Sequence, residues 1–150
     1  MKVVMKMLCV LYVILVLPLS ARLGETKDQL IARYGEVDQE AAPLLLFKKA
    51  GFHVAAKMRN GKCGEIIFCS LVSMKDLSET EIKVLLGANA GKSTWEPMPD
   101  SFNPVWKLAD GSALAGYLRG QQKLVVTSMD EHLQSKVERE AKEEESVKDF

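Results

Sequence analysis

Thr26-Lys27-Asp28-Gln29-Leu30-Ile31-Ala32-Arg33-Tyr34-Gly35 and, 52 residues later, Ser78-Glu79-Thr80-Glu81-Ile82-Lys83-Val84-Leu85-Leu86-Gly87 carry one ten-residue pattern. Each opens with Ser/Thr-x-x-Gln/Glu, continues with two apolar residues four apart, and closes on glycine. The opening is a capping box, in which the hydroxyl accepts from the third helical amide and the Gln or Glu side chain reaches back to the cap amide. Leu30/Tyr34 and Ile82/Leu86 give one buried stripe. Gly35 and Gly87 would supply a left-handed stop. The match of the whole unit predicts an internal repeat, each copy starting with a short helix.

Strands are expected after each helix. Phe52, Val54, Ala56 and Met58 alternate with His53, Ala55, Lys57 and Arg59, the period of a half-buried strand. Asn60-Gly61 marks a turn, and residues 63–70 return. A two-residue loop would set Glu65 against Ala56, so a three-residue loop over Arg59-Asn60-Gly61 is expected, pairing Val54 with Ile66 and Phe52 with Phe68. In the second half Val105–Leu108 runs into Asp110-Gly111, Ala113–Leu118 comes back, and Lys123–Thr127 follows the Gly120 turn. Residues 88–103 read as a Gly/Ser/Pro-rich connecting loop. The fold class is α+β: two copies of a helix followed by an antiparallel hairpin or meander, forming one sheet with helices on one face.

The ends are of different character. Lys2 and Lys6 precede an apolar run from Met7 to Leu19, and a small-residue exit ends at Ala21. That is the layout of a cleaved secretory signal, and the run is short for a spanning helix of ~20 residues. The expected organisation is a signal peptide over 1–21, repeats over 22–75 and 76–129, and an acidic helical or disordered tail over 130–150. Export to a secreted or periplasmic location follows, with no membrane span after cleavage. Residues 130–150 hold 8 acidic and 4 basic side chains, with Leu133, Val137 and Ala141 at four-residue spacing, which reads as a frayed, solvated helix.

Composition excludes several chemistries. Lys+Arg and Asp+Glu are both 20, and losing residues 1–21 removes two lysines and no acid, so the mature charge is −2. No basic surplus favours nucleic acid. Two histidines and three cysteines are few for a zinc cluster, and no metal or cofactor is expected. Gly87-Ala88-Asn89-Ala90-Gly91-Lys92-Ser93 has one residue too few between its glycines for a phosphate-binding loop, and its context is wrong. No Gly-x-Ser-x-Gly elbow occurs. No catalytic set is complete.

Two groups of candidates remain. Cys63 and Cys69 lie six apart on one strand, hence on the same face and about 20 Å apart, too far for a mutual disulfide. They read first as small buried residues, and otherwise as reactive thiols, with His53 as the partner for Cys69. Trp106 and Tyr117 are the candidate partner-binding residues, since aromatics exposed on a sheet form recognition surfaces.

The unit Thr26…Gly35 plus hairpin, followed by Ser78…Gly87 plus a second hairpin, resembles the helix-then-meander modules of the beta-lactamase-inhibitor-protein superfamily and the small domains of outer-membrane assembly lipoproteins. Trp106-Lys107-Leu108-Ala109-Asp110-Gly111-Ser112-Ala113-Leu114-Ala115 is similar to a family of small secreted bacterial proteins of uncharacterised role. The resemblance covers about residues 23–129. It implies a non-catalytic module that binds another protein or an envelope component through its sheet face. The chain departs from those relatives in having no cysteine placed for a lipid anchor and no disulfide per repeat. The alternatives are a cysteine-dependent enzyme or redox protein using Cys69 or Cys63 with His53, and a structural envelope protein tethered by its tail.

Overall fold

A computed structural model describes residues 22–99 and 101–148; the expected signal peptide lies outside the described residues. The order is α1 (Lys27–Tyr34), β1 (Gln39–Ala41), β2 (Leu44–Lys49), β3 (Phe52–Arg59), β4 (Lys62–Ser70), α2 (Glu79–Ala88), β5 (Trp95–Met98), β6 (Val105–Leu108), β7 (Ala113–Leu118), β8 (Lys123–Ser128) and α3 (Met129–Lys148). All eight strands join one antiparallel sheet in the order β1-β2-β3-β4-β8-β7-β6-β5. The class is therefore α+β.

Both capping boxes form. Thr26 Oγ1 accepts from Gln29 N (3.4 Å) while Thr26 N donates to Gln29 Oε1 (2.9 Å). Ser78 Oγ accepts from Glu81 N (3.2 Å) while Ser78 N donates to Glu81 Oε2 (2.7 Å). That backbone donation also lowers the Glu81 carboxyl below its ordinary range. Replacing Ser78 with Ala should lower unfolding stability by about 1 kcal/mol, read from denaturant midpoints at unchanged slope. Gly35 closes α1 at φ 93°. Gly87 does not stop α2. The helix continues to Ala88, because Asn89, fully buried, donates its side-chain amide to Leu85 O (2.8 Å) and terminates it instead.

One face of the sheet carries the core. Phe47, Val54, Phe68, Leu124 and Tyr117 are paired in a row across the strands. Leu45, Ala56, Ile66, Val126, Ala115, Trp106 and Pro97 form the next row. Leu30 and Tyr34 of α1 and Ile82, Leu85 and Leu86 of α2 pack with these residues into one cluster.

The β3–β4 hairpin differs from the expected three-residue loop. The turn is Asn60-Gly61 alone, with φ 52° and 75°, the mirror-image turn that matches strand twist. Arg59 pairs with Lys62 and Met58 with Cys63, and then the register shifts so that Lys57 meets Glu65 and Ala56 meets Ile66. Gly64 is the extra residue. The bulge resolves the clash of patterns that argued against the short loop, because it turns Glu65 off the core face. Val54 consequently faces Phe68 rather than Ile66, and Phe52 faces Ser70 rather than Phe68.

The segment read as a connecting loop contains β5, which survives with Pro97 because it is an edge strand. Strands β1 and β2 lie between α1 and the first alternating strand, where the apolar run Leu44–Phe47 shows no alternation to mark them.

Candidate functional site

Between α2 and the outer strands the core face is incompletely covered. A cleft of roughly 810 Å³ opens there, with Ile82 and Leu86 as one wall, Trp95, Trp106 and Tyr117 as floor, and Pro97 and Pro104 at one side. The opening follows from length and position. Helix α2 has ten residues and packs through Ile82, Leu85 and Leu86, so the row that is buried from Leu45 to Ala115 is only partly covered at Trp106.

The walls are held by specific bonds. Trp95 Nε1 donates to Leu86 O (2.7 Å), tying the edge strand to the end of α2. Tyr117 Oη accepts from Leu77 N (3.0 Å) and donates to Asp76 Oδ1 (2.7 Å), fixing the start of α2 against β7. Burial first, and the bond to Asp76 second, raise the Tyr117 hydroxyl above its ordinary range, so it stays a neutral donor. Asp76, Glu79, Lys83 and Arg119 ring the mouth. The result is an aromatic trough with polar groups at its edge, of a size and make-up suited to a ligand.

Trp106 and Tyr117, the two sequence candidates, thus share one site, on the helix-bearing face of the sheet. Their roles differ: Tyr117 is buried structure with its hydroxyl engaged, and Trp106 is partly buried and lines the cleft with the rest of its ring. Trp95, Ile82 and Leu86 were not read as site residues. The signal was available for Trp95, since Pro97 two residues on suits an edge strand that would bring the ring beside β6.

The bulge at Gly64 also separates the thiols. Cys63 faces the core and Cys69 the opposite face, contrary to the same-face expectation, because one inserted residue inverts the alternation. Cys63 is 2% exposed, its Sγ contacts Glu65 O (3.4 Å), and burial pushes its thiol up to about 12. Cys69 is half-buried and lies cross-strand from His53 on one side and Lys123 on the other. Both thiols are free. Among the described residues no three His, Cys, Asp or Glu side chains gather as a metal site would require.

A second polar cluster was not foreseen. Glu131, 3% exposed, receives Lys57 Nζ (2.7 Å), Arg59 Nε (2.5 Å) and Ser135 Oγ (3.0 Å). Arg59 also holds Glu138 (2.8 Å). A Cβ on Gly64 would sit 3.1 Å from the Glu131 side chain, so the bulge makes room for the acid. The start of the tail is therefore fastened to the sheet, while most of α3 is solvated as expected. None of the described helices is long and apolar enough to cross a membrane.

The chain matches no protein-family model, no curated protein and no solved structure.

Proposed function

We propose that the protein is an exported, non-enzymatic module that binds another protein or an envelope component, with the α2–β6 cleft as its binding site. The observation that carries this reading is the partly buried Trp106 ring in a trough whose other walls are braced by hydrogen bonds. A braced apolar trough costs little ordering on binding, which is how preorganised sites gain affinity. The chemistry of the trough suits an apolar segment of a partner. The tandem architecture belongs to the same proposal: each capped helix is followed by four strands, and the two sets meet along β4 and β8.

The direct placement of His53 beside Cys69, with Lys123 on the other side, favours a second reading as a thiol-dependent protein. It requires a thiol that reacts in the native state, and Cys69→Ser would abolish that reactivity.

The proposal is tested on material recovered from the exported fraction. The expected chain begins at Arg22, co-sediments with the envelope fraction, and leaves it when Trp106 is replaced by Ala. A chain retaining residues 1–21 in the cytosol, or a Trp106→Ala variant that co-sediments unchanged, would refute it.

A further inference from the structure

The loops at one end of the sheet carry exposed apolar side chains. Lateral bonds set four of these loops side by side: Leu71 N donates to Gly51 O (2.9 Å), Gln122 Nε2 to Met74 O (3.1 Å) and Arg119 N to Asn103 Oδ1 (3.3 Å). Leu71 and Val72 are exposed on them, and Met74 and Phe102 far more so, at 82% and 92%. Those two stand on separate loops that bond to opposite ends of the Arg119–Gln122 turn. The cleft reaches the same end, because Asp76, Pro104 and Arg119 belong at once to these loops and to its lining.

The charge at this end is basic. Residues 48–51, 70–76, 99–104 and 118–123 hold five basic side chains and two acidic ones. Lys48 is paired with Asp38 (3.1 Å) and Lys75 with Glu81 (3.4 Å), while Asp76 accepts from Tyr117 (2.7 Å). Lys49, Arg119 and Lys123 have no carboxylate partner among the described residues. At the cleft mouth Glu79 is offset by Lys83. The acidic tail makes its ion pairs with Lys57 and Arg59, toward the other end of β3.

Apolar tips with cations beside them and an apolar trough behind suit an anionic lipid at a bilayer surface. Side chains that protrude singly fit an interface that yields around each of them, whereas a protein partner meets a closely packed patch. We infer that the envelope component is an anionic membrane lipid: Met74 and Phe102 enter the bilayer interface, Lys49, Arg119 and Lys123 meet the headgroups, and an apolar chain of the lipid lies in the α2–β6 cleft. The inference rests on the cleft being the binding site, and adds to it the ligand class and the loops. Stable attachment to a bilayer takes two signals, so losing the cleft contact at Trp106 is enough to release the chain.

Flotation with vesicles of equal parts phosphatidylglycerol and phosphatidylcholine tests it on the chain from Arg22 onward, which carries every described element. The chain should float with these vesicles and not with phosphatidylcholine alone, and added salt should weaken the binding. The double variant Met74→Asp/Phe102→Asp should bind at least about 10-fold more weakly. It should keep the wild-type thermal midpoint, since both side chains are exposed, and should still take an apolar dye into the cleft. Val84→Asp, at a position 65% exposed on α2, should float like wild type. No flotation while the dye still fills the cleft, or flotation unchanged in the double variant, would overturn the lipid and leave the cleft reading standing. A dimer broken by Phe102→Asp, without vesicle binding, would assign the loops to a second copy and overturn it too. A chain that binds neither vesicles nor dye would overturn both.

Discussion

Replacing Glu131 with Gln should lower the unfolding free energy by about 2–3 kcal/mol and release α3 from the sheet. Among the described residues, Glu131 is the hub of the ion pairs that hold the tail to the sheet. Burial alone would raise its carboxyl, but bonds from Arg59, Lys57 and Ser135 outweigh that and bring it to about 2 from an ordinary 4.5. A carboxylate held below its unfolded value stabilises the fold at pH above about 4.5, and that contribution is lost as pH falls through about 2. The shift corresponds to about 3 kcal/mol at neutral pH, in line with removal of one partner from a buried ion cluster. Glu65 works in the opposite direction, because burial raises its carboxyl, so protonating it relieves rather than weakens the fold. Wild type should therefore lose stability chiefly below pH 4.5, and Glu131→Gln should show a flatter profile there. Its neutral-pH midpoint should drop by roughly 10 °C, and the α3 amides should exchange quickly. An unchanged midpoint with α3 still protected would show that the helix is held by something else.

The second large effect is on binding. Trp106→Ala removes the central ring of the cleft floor and leaves the braces at Trp95 and Tyr117 in place. A central aromatic anchor of this kind accounts for 2 kcal/mol or more of binding in typical interfaces, so affinity for an apolar ligand should fall by roughly 30-fold or more. Stability should fall as well, since the ring packs against the core cluster, so the two affinities are compared at a temperature well below the midpoint of the variant. The two losses are separable in one chain: Glu131→Gln should leave cleft affinity intact, because the cluster lies at the β3–β4 turn and the cleft at the outer strands.

Much of this arrangement was legible in residues 26–35 and 78–87, where capping chemistry and apolar spacing are local and agree with the final fold. The alternating β3 and the Asp110-Gly111 turn were legible for the same reason. What escaped depends on partners distant in sequence. Leu44-Leu45-Leu46-Phe47 is a continuous apolar run without alternation, because both faces of β2 meet apolar neighbours. Gly64 looks like any glycine until Glu131 is placed above it. Glu131 itself opens the tail in a third Ser-x-x-Glu, Ser128 to Glu131. Ser128 Oγ does accept from Glu131 N (3.1 Å), but the carboxylate turns to Lys57 and Arg59 instead of closing the box. The cleft was legible only as its aromatic residues; its shape comes from how far α2 reaches across the sheet.

The two tryptophans of the chain, Trp95 and Trp106, both line the cleft, so tryptophan emission reports on that site alone. Titration with anilinonaphthalene sulfonate, an apolar dye that accepts excitation energy from tryptophan, is the most direct measurement. A cleft that binds apolar segments predicts saturable transfer with one dye per chain, lost in Trp106→Ala although Trp95 remains as donor, and retained in Ile67→Glu on the opposite face. Transfer that never saturates, or that is equal in Trp106→Ala, would contradict the cleft as the binding site.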